Sequence, residues 1–212
     1  MDTTMNESNT PKTTPPTSSE LTADQILDAA LDLAQQQDNW YDFNLTDLAN
    51  HCDTSINAIR QHYPDTNAIA NAWFARALEA MLVELDDEMQ SLPVKSRLEL
   101  IVWRWFEALA PYHRLSAQML GAKLHPPHVH HWVPMIFDLS QLVQLWRDAA
   151  GLHTGGRRRQ IEEIVLTSIF VRTLCSWCRD NSAEQSNSHA KLLELLDKAD
   201  RASSFWFHDQ AA

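Results

Sequence analysis

Apolar residues recur at helical spacing along most of the chain beyond residue 20. From Ile26 to Ala34, hydrophobic positions fall at i, i+3 and i+4, which is the spacing of an amphipathic helix. Thr22 precedes this stretch and Gln25 follows it three residues later, as in a capping box that begins a helix. The pattern therefore predicts a first helix that starts beside Thr22.

Two short helices follow across a tight turn. The segment "DLANHC" predicts a short helix with Thr46 as its cap, and "DTS" predicts the turn. The segment "INAIRQHY" predicts a second short helix, which Ser55 begins and Pro64 ends. One longer helix followed by two short ones across a turn is the arrangement of a helix-turn-helix unit.

The rest of the chain predicts further helices and no sheet. From Thr66 a single long helix is expected to continue to Pro93, whose ring clashes with a preceding helical turn. Five more helical stretches follow, with breaks at Pro111, in "HPPHVHHWVP", in "GLHTGG" and in "NS". Only four glycines are present, and β-branched residues do not alternate with polar ones over a strand length. The fold is therefore predicted to be all-α.

Composition divides the chain into three parts. Residues 1–18 are rich in Thr, Ser, Pro and Asn, so they are expected to form a disordered tail. Residues 19–66 are expected to form the helix-turn-helix domain, and residues 67–208 a second helical domain. No apolar run has the length of a membrane span and no signal peptide is evident, so we expect a cytoplasmic protein that does not contact membranes.

The charge of the chain limits any contact with nucleic acid to a small area. The formal net charge is −11 at pH 7, whereas phosphate binding depends on clustered lysine and arginine. Between residues 19 and 70 Arg60 is the one base, and the acids are Glu20, Asp24, Asp28, Asp32, Asp38, Asp42, Asp47, Asp53 and Asp65. DNA affinity must be weak, or it must come from Arg60, helix N-termini, base contacts and dimerisation.

The segments "ILDAALDLAQQQ" and "LTDLANHCDTSINAIRQHYPDTNAI", with the helix that follows them, resemble the TetR family of bacterial transcriptional regulators. The resemblance covers residues 20–90 as motif and the remainder as architecture. It implies a homodimer that binds double-stranded operator DNA through its third helix, senses a small molecule in a helical domain and dimerises through its last two long helices. The DNA-contacting positions it implies are Thr46, Ser55, Asn57, Ala58, Arg60, Gln61 and His62.

The recognition helix departs from the family pattern in one respect and keeps usable chemistry in another. After "YP" the family has a serine and a phosphate-contacting lysine, whereas this chain has Asp65 and Thr66, so that contact is lost. Asn57 and Gln61 can pair with adenine, and Arg60 can pair with guanine or a phosphate. Tyr63, before the proline, is expected to anchor the helix in the core.

Aromatic and sulfur-containing residues are abundant in the second domain. Helical domains of this type bind apolar small molecules in cavities lined by such side chains, although ordinary core packing is the alternative for each residue. No buried charge is indicated, so the ligand is expected to be an unknown apolar or amphipathic small molecule. The expected lining residues are Trp103, Phe106, Met119, Trp146 and Phe170.

Two other function classes remain open. The C-terminal stretch with Trp177, Asp180 and Ser182 resembles a TetR subgroup that shares its fold with lipid-binding accessory proteins of ubiquinone biosynthesis. A TetR-fold protein that does not bind DNA and carries a lipid or quinone-like molecule is therefore the alternative, and a protein that only dimerises is the third class. An enzyme is not expected, and no cofactor, because no phosphate-binding loop, HExxH, GxSxG or paired carboxylates occur.

Three smaller motifs have structural interpretations. A histidine-rich stretch without a carboxylate predicts a solvent-facing loop and no metal site, and its residues are His125, His128, His130 and His131. Cys175 and Cys178 have CxxC spacing in mid-helix, where thiols stay protonated. The basic cluster at residues 157–159 is expected to pair with Glu162 and Glu163 or with a partner subunit.

Overall fold

The computed structural model describes the backbone of residues 21–123 and 129–208, and the side chains of 21–121 and 139–202. The α-helices are α1 (Ala23–Gln37), α2 (Leu45–His51), α3 (Ile56–His62), α4 (Thr66–Met81), α5 (Asp87–Gln90), α6 (Val94–Leu109), α7 (His113–Lys123), α8 (Val129–Ala149), α9 (Gly156–Trp177) and α10 (Ser186–His208). Short 3₁₀ turns at Ala110–Tyr112 and Ala183–Gln185 precede α7 and α10. No strand occurs in the described residues, which confirms the all-α prediction.

The first helix begins as its capping box predicts. The Thr22 hydroxyl accepts a hydrogen bond from the Gln25 amide at 3.2 Å, and the Gln25 side chain accepts one from the Thr22 amide at 2.9 Å. The apolar stripe of α1 is buried, including Ile26, Leu27 and Leu31. The helix ends at Asp38, whose backbone adopts the left-handed conformation that closes many helices.

Helix α6 lies at the centre of the larger part of the molecule. It packs against α4, α8 and α10, while α9 packs against α8 and α10. Its buried side chains are Leu98, Ile101, Val102, Trp105, Phe106 and Leu109. Each large apolar side chain buried there contributes about 1.5–3 kcal/mol, so α6 is the main organising element of the core. The core is continuous with that of α1–α3.

The fourth helix is shorter than predicted. It ends at Met81, and a non-helical segment leads to the four-residue helix α5, so the prediction of one helix up to Pro93 was wrong. Two arginines of α6 satisfy carbonyl groups in this region. Arg104 donates to the Val83 carbonyl at 2.7 Å, and Arg97 donates to the Leu92 carbonyl at 2.7 Å. These tertiary hydrogen bonds stabilise a conformation that helical periodicity alone does not predict.

Two predicted breaks differ in detail from the structure. Pro111 lies in the 3₁₀ turn between α6 and α7, where the chain changes direction without a long loop. The predicted break at "HPPHVHHWVP" was too long, because α8 already begins at Val129 and Pro134 lies within it. Residues 124–128 of that stretch lie outside the described residues.

Candidate DNA-binding surface and ligand site

Helix α3 is fixed to the fold at both ends. The Ser55 hydroxyl accepts a hydrogen bond from the Ala58 amide at 3.2 Å, so Ser55 is the N-cap that the sequence predicted. Ile59 is fully buried, and Tyr63 is buried at the other end, where its hydroxyl donates to the Ala23 carbonyl of α1 at 3.2 Å. Tyr63 is therefore a core anchor, and α3 is held rigidly against α1.

The opposite face of α3 is polar and open to solvent. Asn57, Arg60, Gln61 and His62 are exposed, and Ala58 is half-buried. Within the described residues, the Arg60 guanidinium forms no ion pair with the protein. These exposed side chains therefore lie together on one short helix. Among the described residues, no acid forms an ion pair with the positive charge of Arg60.

Thr46 does not have the capping role expected of it. The N-cap of α2 is Asn44, whose side-chain oxygen accepts hydrogen bonds from the amides of Thr46 at 2.8 Å and Asp47 at 3.2 Å. The Asp47 carboxylate in turn accepts a hydrogen bond from the Asn44 amide at 3.0 Å, which completes a capping box. Asn44 precedes Thr46 by two residues and reaches both amides, so the Thr46 side chain is exposed within the first turn of α2.

Ile56 is an exposed position on α3 that the sequence analysis did not single out. Ile56 and Ile59 were both expected to pack the small helical unit in the absence of a DNA-binding role, but 39% of Ile56 is exposed while Ile59 is fully buried. Ile56 is the first residue of α3 and lies next to the exposed Asn57. An apolar side chain here can contact the methyl group of thymine, which is a recognised element of major-groove readout. The i, i+3 spacing of Ile56 and Ile59 in the sequence does not distinguish the exposed isoleucine from the buried one.

The acids of α1 face the second domain. Arg76 of α4 forms ion pairs with Asp24 at 2.9 Å and with Asp28 at 2.5 Å. Arg114 of α7 forms an ion pair with Asp38 at 2.5 Å, and this pair is largely exposed. Two guanidinium groups from outside residues 19–70 thus offset part of the negative charge counted in that window. Exposed pairs stabilise weakly, but they lower the local negative potential.

A tyrosine binds one further acid of α1. The Tyr112 hydroxyl donates to Asp32 at 2.7 Å, and this hydrogen bond, with desolvation and the carboxylate charge, raises the pKa of Tyr112 to about 12. Asp32 is therefore directed toward the turn before α7. Together with the ion pairs of Arg76 and Arg114, this contact places the three α1 carboxylates and that of Asp38, the C-cap, beside α4, α7 and the turn before α7.

Asp65 has a structural role at the position where the family has a serine. Its carboxylate accepts a hydrogen bond from the Ala68 amide at 2.8 Å and so caps α4. An aspartate is favourable there because the helix N-terminus carries partial positive charge. The cap leaves a carboxylate close to the end of α3, where it opposes phosphate binding.

Three of the five predicted ligand-lining residues form one aromatic cluster. Phe106 of α6 lies 5.6 Å from the Trp103 ring and 5.9 Å from the Phe170 ring of α9. Trp177, two turns further along α9, lies 5.7 Å from Phe106. Phe106, Phe170 and Trp177 are buried, while Trp103 is partly exposed. The cluster joins α6 and α9.

The other two predicted lining residues lie apart from this cluster. Trp146 of α8 is fully buried, and its indole N–H donates to the Leu98 carbonyl at 2.8 Å. Met119 is buried on α7. Trp103 borders a surface groove of about 680 Å³ between α6 and the start of α10, where its ring stacks on His189 at 4.2 Å. Because the five predicted lining residues do not lie together, the ligand site stays a prediction.

The basic cluster at residues 157–159 and the cysteine pair have structural explanations. Arg158 and Arg159 form ion pairs with Glu162 and Glu163 at 3.2 Å and 2.8 Å, as expected of the basic cluster. Burial raises the pKa of the Cys178 thiol to about 11, so it is protonated at neutral pH. Among the side chains that the structure describes, no three His, Cys, Asp or Glu residues converge as metal ligands. The histidine-rich stretch lies outside those side chains.

Comparison with solved structures finds proteins of the same fold. No family model matches the chain, and no curated protein matches it in sequence. The chain is similar to the crystal structure of a TetR transcriptional regulator from Nitrosomonas europaea ATCC 19718, with a TM-score of 0.74 and 29% sequence identity. The match covers 84% of this chain and 97% of the other. No described helix is long and apolar enough to span a membrane. The chain thus has the all-α fold of this TetR regulator, and the Ser55 cap and the Tyr63 anchor lie where the resemblance to the TetR family predicts them.

Proposed function

We propose that the protein is a transcriptional regulator that binds operator DNA as a homodimer through α3 and is modulated by an apolar small molecule. The observation that carries the proposal is the exposed polar face of α3, with Arg60 free of ion pairs, in a chain that shares the fold of a TetR regulator. The ion pairs of Asp24, Asp28 and Asp38 support it, because they offset part of the negative charge of residues 19–70.

Homodimerisation is supported by an apolar surface on α9 and α10. These helices pack against each other, and both expose large aliphatic side chains. Ile164 is 70% exposed. The exposed aliphatic residues of the two helices are Ile161, Ile164, Val165, Val171 and Leu193. A second copy that covers this surface would bury it and place two α3 helices on one side of the dimer.

The mechanism follows from the geometry that two recognition helices require. Half-sites on B-DNA are read one helical turn apart, about 34–36 Å, so a dimer binds only while its two α3 helices keep that separation. Helix α4 follows α3 directly and packs along α6, which in turn contacts α8 and α10. A ligand that binds one arrangement of these helices more tightly shifts the population toward or away from the DNA-binding state.

The test is a fluorescence anisotropy titration of the full-length protein against labelled DNA flanking its own gene. We expect sequence-specific binding that the Arg60→Ala variant weakens by about 5- to 100-fold, since a good contact to a base or a phosphate contributes about 1–3 kcal/mol. The matched control is Arg201→Ala, which removes the same charge from an exposed position on α10. This control should leave affinity unchanged.

The outcomes of this titration distinguish a DNA-binding regulator from a carrier protein that does not bind DNA. Sequence-specific binding that is equal in the wild type and Arg201→Ala, and weaker in Arg60→Ala, supports the regulator. A wild-type protein that binds no better than to competitor DNA, even at low salt, would overturn it. Mass spectrometry of co-purifying small molecules would then test the alternative of a carrier of a lipid or quinone-like molecule with this fold.

A further inference from the structure

Two buried hydrogen-bond donors of α9 have no partner among the described residues. They are the Thr173 hydroxyl and the Trp177 indole N–H. Both side chains are fully buried, so solvent does not satisfy them. A buried donor left unpaired costs about 1–3 kcal/mol, which is why such groups are rare and are informative when two occur together.

Comparable groups elsewhere in the molecule are satisfied. The buried indoles of Trp73 and Trp146 donate to the Ser116 hydroxyl and the Leu98 carbonyl, at 2.9 Å and 2.8 Å. In α9 itself, the Thr167 hydroxyl donates to the carbonyl four residues earlier at 2.7 Å. Thr173 forms no such bond to the carbonyl four residues before it, although it lies in the same helix. The unpaired state is therefore particular to this face of α9.

The two donors lie on one face of α9. Residues four apart on a helix lie on the same face with their Cβ atoms about 5–6 Å apart, so Thr173 and Trp177 are neighbours. Phe170 precedes them on that face, and Phe106 of α6 closes it, with its ring 5.7 Å from Trp177. The His113 side chain of α7 packs edge-on against the Trp177 ring at 4.3 Å.

The chemistry of this face defines what can satisfy it. The Nε2 atom of His113 already bonds the Trp177 carbonyl at 2.6 Å, so it is not available to the two free groups. Of these, the indole N–H of Trp177 can only donate, and the Thr173 hydroxyl can donate as well. The buried residues of α9 carry no charge, and they are Leu166, Ile169, Phe170, Thr173 and Trp177. A carboxylate buried here would lack a cation from α9, which makes a neutral acceptor more favourable.

From these observations we propose that Thr173 and Trp177 form the polar anchor of the ligand site, and that the ligand is a neutral carbonyl compound on an apolar, planar body. A single carbonyl oxygen has two lone pairs, so it can accept from the indole N–H and from the hydroxyl together. Phe106 and Phe170 contact the apolar body. This inference rests on the proposed small-molecule modulation, but it concerns binding and does not require DNA.

The experiment uses two probes that differ in one atom group. Acetophenone carries the carbonyl, and α-methylstyrene replaces it with a C=CH₂ group of nearly the same shape. We would record ¹H–¹⁵N correlation spectra of the indole groups of the full-length protein during titration with each probe. Acetophenone should shift the Trp177 indole signal, whereas those of Trp73 and Trp146 should stay in place because they already donate to protein atoms.

Two variants test the anchor directly. Thr173→Val removes the hydroxyl with almost no change of shape, so it should weaken acetophenone binding by about 3- to 10-fold and leave α-methylstyrene binding unchanged. Trp177→Phe removes the indole N–H together with part of the ring, so it should weaken acetophenone binding more than α-methylstyrene binding. Thr173→Val keeps the indole as a reporter if Trp177→Phe does not fold.

The proposal is overturned if the two probes shift the Trp177 signal equally, if neither shifts it, or if both variants bind acetophenone as tightly as the wild type. A Trp177 indole that is already satisfied by a fixed buried water would give the second of these results. DNA binding by the same samples is measured separately by anisotropy. Loss of the anchor therefore leaves the proposed regulator intact, and failure to bind DNA leaves the anchor intact.

Discussion

Asp180, in the turn between α9 and α10, is a buried carboxylate whose removal has a calculable effect. It is 6% exposed. One oxygen accepts from the amide and hydroxyl of Ser182 at 3.0 Å and 2.6 Å, and the other accepts from those of Ser188 at 2.7 Å and 2.6 Å. Burial acts to raise the pKa of Asp180, but these four hydrogen bonds outweigh it and hold the pKa well below its ordinary value.

The substitution Asp180→Asn keeps the shape and removes the charge. Hydrogen bonds to a charged acceptor contribute about 1.5–3 kcal/mol each, and the amide group of asparagine would place its own donors against the donors of one serine. Because these contributions are not additive, the expected loss in the free energy of unfolding is about 2–4 kcal/mol. That is a large share of the stability of a domain of this size.

The effect has a defined pH dependence. A carboxyl whose folded-state pKa is lowered contributes stability that is fully present above its unfolded pKa, about 3.9, and is lost as the pH falls through the folded pKa. The difference in unfolding free energy between the wild type and Asp180→Asn should therefore be complete near pH 7. It should begin to shrink below about pH 4.

The assay is urea denaturation followed by circular dichroism at one protein concentration, near pH 7 and near pH 3. The control is Glu194→Gln on α10, where hydrogen bonds from Lys191 and Lys198 lower the pKa of Glu194 to about 2 at a fully exposed site. Solvent screens that site, so its loss should change stability far less. Equal stability of the wild type and Asp180→Asn near pH 7, or an equal loss at both pH values, would refute the reasoning.

Three further substitutions test the proposed dimer surface on α9 and α10, the exposed face of α3 and the unpaired donors of α9. Ile164→Asp should produce monomers in light scattering and abolish DNA binding, whereas Val83→Asp, at a comparably exposed site outside α9 and α10, should remain dimeric. Ile56→Ala should weaken operator binding by about 3- to 10-fold, and DNA with uracil in place of thymine should remove that difference. Thr173→Val should not lower the melting temperature, because it removes an unpaired hydroxyl, while Ser116→Ala should cost about 1–3 kcal/mol because it leaves the Trp73 indole unpaired.

Local signals in the sequence predicted the helix-turn-helix unit well. The Thr22 capping box, the Ser55 cap and the Tyr63 anchor each depend on residues a few positions apart, or on burial that apolar spacing reveals. Thr46 shows the limit of such signals. Asn44 and Thr46 are both capping residues, and the choice between them depends on where the chain leaves the preceding turn.

Contacts between distant segments account for the features that the sequence did not predict. The end of α4 at Met81 depends on carbonyl partners supplied by Arg97 and Arg104, which follow it by more than a dozen residues. The charge count over residues 19–70 likewise omitted Arg76 and Arg114, because these bases are distant in sequence and adjacent in space. A charge count over one continuous stretch of sequence omits charged residues that lie elsewhere in the chain and come close only in the folded structure.

The ligand site shows the same limit for hydrogen bonding. Aromatic type identified Phe106 and Phe170 correctly as neighbours, because both lie on buried helix faces. The donors Thr173 and Trp177 gave no sequence signal, since a threonine or tryptophan in a helix is ordinary, and only the full set of tertiary partners shows that these two remain unpaired. A polar anchor in an apolar core is a property of the folded arrangement.

The acidic background of residues 19–70 predicts how the proposed DNA affinity should respond to salt concentration. Each phosphate neutralised by a cation adds about −0.9 to the slope of log affinity against log salt concentration. With Arg60 as the one base of residues 19–70 in each protomer, a dimer that uses only these cations should show a slope of about −2. Anisotropy titrations at several salt concentrations measure it. A slope steeper than about −5 would mean that other basic residues reach the DNA, and it would refute the view that base contacts from α3 dominate recognition.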